Sequence, residues 1–179
     1  TKIKKICEVT TPMHLRVGGD GAACIGMPPS LFAASDNATA VLNGITVTRS
    51  FANGVVKVLG TSYYSSTPQC PAYWFANNAY LGDTSGGTKL TYKFSKPITS
   101  AQIWLSAFSL MDATKLDKAK FTVNCGATAQ IAVTDNCWNN TSFTLQSQNT
   151  VIASGRNKDE NINLAVVVTA DKPFTEITV

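Results

Sequence analysis

The chain has 179 residues, enough for one domain that buries roughly 70% of the surface its unfolded form exposes. Only 15% of the residues are charged, against about 25% in an ordinary soluble domain, and Thr, Ser and Asn stand in their place. The net charge of +4 comes from dispersed lysines, with one cluster at Lys2, Lys4 and Lys5, which excludes a basic nucleic-acid stripe, and no run approaches the ~18 apolar residues of a membrane span.

Ile3, Ile6 and Val9 mark a first strand, and His14 to Val17 a second. No apolar leader precedes them, so if the protein is exported its signal peptide is expected to have been removed already, with which a start at Thr1 is compatible. Gly18-Gly19-Asp20-Gly21 breaks the second strand. Ser30 then caps one short helical turn over Leu31 to Ala34, the only helix the sequence calls for. Ile45, Val47 and Arg49 alternate with Thr46, Thr48 and Ser50, and Val55, Val56, Val58 and Leu59 follow. Ala52-Asn53-Gly54 between them signals a hairpin, since Asn-Gly readily takes positive φ.

Thr61 to Gly87 reads as the longest irregular stretch, and a loop of that length in a small domain is usually functional. Tyr63, Tyr64, Tyr73, Trp74 and Tyr80 lie in it with Asn77, Asn78 and Asp83. Aromatic rings supply rigid contact area at low entropy cost, and amides and carboxylates supply oriented hydrogen bonds. These eight residues are the candidate ligand-binding set. The plainer alternative makes Tyr73-Trp74-Phe75 a buried strand.

Thr88 to Ser109 organises the chain. Leu90, Tyr92 and Phe94 alternate with Thr91, Lys93 and Ser95, the period of a half-buried strand. Lys96-Pro97 interrupts it, and Ala101, Ile103, Leu105 and Ala107 then share a face, with Ile98, Trp104 and Phe108 on the other. Leu110 to Lys118 is a polar connection. Phe121–Asn124 and Gln130–Thr134 form a hairpin, and Ser142–Leu145 and Thr150–Ala153 are short strands. Ile162, Leu164, Val166 and Val168 alternate in a further strand, and Phe174 to Val179 close the chain. About ten short strands at this spacing make a single all-β domain over 1–179, an antiparallel β-sandwich.

The run LTYKFSKPITSAQIWLSAF, the turn carrying Asp112 and Asp117, KFTVNC and the closing PFTEITV resemble bacterial galactose-binding-like jelly-roll modules. Those modules share an F-S-x-P-[VI] strand junction. The resemblance covers residues 88–179 and leaves out the first half and the cysteines. It implies a jelly-roll sandwich of the kind found in surface adhesins, carbohydrate-binding modules and secreted toxins, often with a structural calcium. Asp112 and Asp117 are the weak calcium candidates, where a solvated turn is the plainer reading. No other cofactor is expected.

Five cysteines have no metal-site spacing. Cys125 and Cys137 bracket the expected hairpin and form the first expected disulfide, with Cys24 and Cys70 the second and Cys7 left as a buried thiol. In an alternative, Cys7 displaces Cys70 as the partner of Cys24. Disulfides point to an oxidising compartment.

His14 is the one histidine, and no nucleophile elbow, HExxH helix or phosphate loop accompanies it. The reading is therefore a secreted or surface-exposed binding module of adhesin type and not an enzyme, recognising a host glycan or cell-surface protein through the aromatic loop. A structural subunit of a pilus tip, capsid or spike, pairing through an open edge at residues 174–179 in a larger assembly, is the alternative. Eleven acids also leave a two-carboxylate hydrolase or toxin subunit open.

Overall fold

Two long strands carry the fold, and the ladder between them is irregular at one corner. The computed structural model describes Cys7 and residues 14–17, 37–52, 56–58, 62–64, 73–75, 79–81, 89–108, 110–112, 115–135, 143–154 and 162–179. These form β1 (His14–Val17), β2 (Ala38–Leu42), β3 (Ile45–Ala52), β4 (Val56–Val58), β5 (Ser62–Tyr64), β6 (Tyr73–Phe75), β7 (Ala79–Leu81) and β8 (Lys89–Phe108). β9 (Leu110–Asp112), β10 (Lys115–Leu116), β11 (Lys118–Lys120), β12 (Thr122–Val123), β13 (Ala129–Asp135), β14 (Phe143–Ser147), β15 (Thr150–Ala153) and β16 (Ile162–Thr178) follow. No helix occurs among the described residues, and the expected helical turn at 31–34 lies outside them.

β8 and β16 run antiparallel at the centre of the main sheet. Thr169 opposes Ser100 before the corner and Glu176 opposes Lys93 after it. Between them the register shifts at the Phe174–Ile98 pair and shifts back, so the two sides of the interval share one offset. Pro97 and Pro173 both fall in this interval, where a missing N–H costs no ladder bond between the two strands. The corner is filled from inside. Ile98 pairs with Phe174, both fully buried, and the Phe174 ring meets Phe94 edge-on at 6.3 Å.

Each long strand is flanked by two shorter ones laid end to end. β3 pairs with the first arm of β8, and the parallel β1 with Ser100–Ile103 of the second. β12 and β13 do the same along β16, and β2 extends the sheet beyond β3. A three-stranded antiparallel sheet, β11-β15-β14, forms the second layer. Its Ala119, Val151 and Ala153 join Ile45, Val47, Phe94, Ile98, Val166 and Phe174 in one buried cluster. The fold is an all-β sandwich, as composition and alternation predict. Hydroxyls line the outer face, where Thr91 and Thr178 share a 3.2 Å hydrogen bond across the central pair.

Several expectations are corrected. The buried face of β8 is Leu90, Tyr92 and Phe94 before the corner and Ala101 and Ile103 after it, as read. Ile98, however, belongs with that buried face, because the irregular corner shifts the alternation. The hairpin into β3 turns at Asn43-Gly44, with φ of 50° and 72°, the primed turn whose twist suits two strands. β3 has β2 on one edge and β8 on the other, so it is not the partner of β4, and Asn53-Gly54 lies outside the described residues. Phe121–Asn124 and Gln130–Thr134 do not form a hairpin with each other, since β12 and β13 lie in line along β16. Residues 174–179 are no open edge. β16 lies between β8 and β12, and Val179 exchanges backbone bonds with Leu90 at 2.8 and 2.9 Å.

Candidate functional site

The aromatic stretch is a ladder where the sequence reads as a loop. β4 pairs with β7, putting Lys57 opposite Tyr80. β5 pairs with β6, putting Tyr63 opposite Trp74 and Tyr64 opposite Tyr73. The two ladders have the same pairing offset, with 56–58 opposite 81–79 and 62–64 opposite 75–73. Directly opposed residues in such a ladder are close neighbours. Of the eight candidate residues, Tyr63, Tyr64, Tyr73 and Trp74 are brought together in the β5–β6 ladder, and Tyr80 lies in the β4–β7 ladder. Asn77, Asn78 and Asp83 lie outside the described residues. Tyr73-Trp74-Phe75 is a strand, β6.

A second feature escaped the sequence reading. Arg49 follows Ile45 and Val47 on the inner face of β3 and is only 3% exposed. It stands directly opposite Tyr92 of β8, and its guanidinium lies 5.4 Å from the Phe51 ring, in cation–π range. Burial pushes the Tyr92 phenol up to about 12, and the Arg49 charge pulls part of the way back. The signal was available in ITVTRS, where arginine occupies an apolar phase of the alternation. Gln102 (5% exposed) and Thr150 (4%) are buried polar residues in the same way.

Two asparagines act as internal clamps. Asn124 Nδ2 donates to Thr175 Oγ1 at 2.9 Å, while its Oδ1 accepts from the N–H groups of Thr175 and Glu176 at 2.9 and 3.1 Å. Asn149 Nδ2 donates to the Phe121 carbonyl at 2.9 Å, and the Phe121 N–H returns a bond to the Asn149 carbonyl at 2.8 Å. The first fixes the turn after β12 onto the corner of β16. The second ties the β14–β15 hairpin to the segment between β11 and β12.

Cys125 sits in that turn at a φ of 62° and is bonded to Cys7, with Cα atoms 6.0 Å apart. The expected pairing of Cys125 with Cys137 is therefore not the one formed, and Cys7 is not a free thiol. The reason is the line of β13. Its seven extended residues carry the chain roughly 20 Å from the Cys125 turn by Asp135, whereas a disulfide joins Cα atoms within about 7 Å. Cys24, Cys70 and Cys137 lie outside the described residues.

Of the calcium candidates, Asp112 opposes Lys115 in the β9–β10 ladder, and Asp117 is exposed beside β11. Among the described residues no group of three or more His, Cys, Asp and Glu is placed to hold a metal. Asp171, in the corner of β16, accepts the Thr128 N–H at 2.6 Å. His14 opens β1, opposite Ser100. Compared with known proteins, the chain matches no family, no curated protein and no solved structure.

Proposed function

We propose that this chain is a secreted or surface-exposed binding module with jelly-roll connectivity. It takes a glycan or a cell-surface protein on the aromatic β5–β6 ladder, with Tyr80 of the β4–β7 ladder. The observation that supports this reading is the register itself, which sets Tyr63 against Trp74 and Tyr64 against Tyr73 within three rungs. Opposed aromatic pairs offer flat stacking area to a sugar ring or hot-spot area to a protein, at little cost in side-chain entropy. The Cys7–Cys125 bond supports an oxidising compartment.

The test is a glycan array and a capture screen against cell-surface proteins, run with and without calcium, beside a Trp74→Ala variant and a Tyr64→Ala/Tyr73→Ala variant. Specific binding that both variants lose, with cooperative unfolding retained, is the expected result. Binding that survives in both variants would remove the ladder as the site.

A further inference from the structure

We propose that the Ser100–Ile103 edge of β8 is a strand-exchange site held shut by the Cys7–Cys125 disulfide. Its exchange partner is the His14–Val17 strand of a second copy of the chain. β1 is the one parallel strand in the described part of the sheet, and four residues are all it contributes to the ladder. Parallel pairing is slightly weaker per residue than antiparallel pairing. The arm it covers is among the most buried in the molecule, with Ala101, Ile103 and Gln102 at 0%, 2% and 5% exposure. β16 holds the other edge of this arm through Val166–Thr169. If β1 departs, a buried strand is left with a row of unpaired backbone groups, a template for another strand.

The disulfide decides whether β1 can depart. Cys125 is anchored beside the β16 corner by the Asn124 bonds to Thr175 and Glu176, on the far side of β16 from β1. From Cys7 to His14 the chain advances seven residues, a reach of about 23–25 Å. The intact bond therefore tethers the leading end of β1 to its own sheet. Behind β1 the sequence runs Gly18-Gly19-Asp20-Gly21, and twenty residues separate it from β2, ample length for β1 to reach a neighbouring molecule. A small-molecule dithiol opens the lock. It supplies the two electrons and two protons that convert the Cys7–Cys125 Sγ–Sγ bond into two thiols, and itself becomes a disulfide. The β1 of a second copy then fits the vacated edge in the register His14 to Ser100 through Val17 to Ile103. Return of the molecule's own β1 competes, so exchange grows with protein concentration.

The experiment compares the oxidised protein with a Cys7→Ser/Cys125→Ser variant, which leaves the other three cysteines untouched. Light scattering across a concentration series and amide hydrogen exchange of residues 100–103 provide the readouts. The oxidised protein is expected to keep the mass of one chain throughout. The variant is expected to move towards twice that mass with rising concentration and to lose protection at 100–103 when dilute. Adding Leu15→Pro and Arg16→Pro to the variant, adjacent positions of which one donates to the partner strand in a parallel ladder, should return it to one chain. A variant that stays monomeric at every concentration with 100–103 still protected overturns the proposal. A variant that loses its β-sheet circular dichroism overturns it equally, because the exchange requires the sandwich to outlast the bond.

Discussion

Asn124 grips Thr175 from both ends, donating to its hydroxyl and accepting from its backbone N–H, each at 2.9 Å. Three hydrogen bonds from one amide, counting that from Glu176, thus hold the corner of β16 to the turn carrying Cys125. Replacing Asn124 by Ala strands two backbone donors in a half-buried site, and about 2–3 kcal/mol of stability should be lost. Asn124→Asp keeps the acceptor and should cost less. Urea denaturation of both variants checks the order, and an Ala variant as stable as the parent would show the clamp contributes nothing.

Tyr92 gives the fold an alkaline limit. Its phenol titrates near 10 in an unfolded chain and at about 12 when folded, so the native state holds the proton more tightly. Stability from this group is constant below pH 10 and falls as pH rises from 10 towards 12, by about 2–3 kcal/mol in all. Lysines titrate in the same range, so the diagnostic quantity is the difference between the parent and Tyr92→Phe. That difference should narrow or change sign above pH 10 in denaturation curves taken at pH 8 and pH 11.

Gly44 separates backbone strain from crowding. Its φ is +72°, and an added Cβ would meet no heavy atom within 4 Å. Gly44→Ala should therefore cost about 1–2 kcal/mol through the left-handed conformation alone. Gly44→Asn should cost less, since asparagine tolerates that region. Thermal unfolding of the two variants reads the difference.

The Cys7–Cys125 bond spans a sequence separation of 118, and closing so long a loop restricts the unfolded chain by about 4–5 kcal/mol. The Cys7→Ser/Cys125→Ser variant should lose stability on that scale in guanidinium titrations. A loss near 1 kcal/mol would mean that the unfolded chain keeps these two segments close by other means.

Much of the sandwich is legible in the sequence because strand alternation is a local signal. Leu90, Tyr92 and Phe94 announce their face by period alone. Ile98 does not, since the corner shifts the phase and nothing in the residues flanking Lys96-Pro97 states by how much. Asn43-Gly44 and Asn53-Gly54 carry the same local chemistry, yet only the first is seen to join two paired strands, a choice made by which strands lie beside β3. The aromatic ladder is hidden by its own composition, because Tyr-Tyr and Tyr-Trp-Phe runs have no period of two. The Cys125 pairing is hidden for a related reason. Proximity in sequence suggests a local bridge, while the direction of β13 is set by β16, a strand far along the chain.

The pairing of β8 with so distant a strand as β16 also sets the order of events during synthesis. β8 leaves the ribosome roughly fifty residues before its central partner, an interval of several seconds at the usual ~5–20 residues per second. Throughout that time this long strand has β3 beside its first arm and no β16 along its other edge. Nascent chains crowded on one message are then each other's nearest source of a missing strand. A chaperone that shields extended apolar segments should raise the yield of this sandwich more than one that acts on the finished chain.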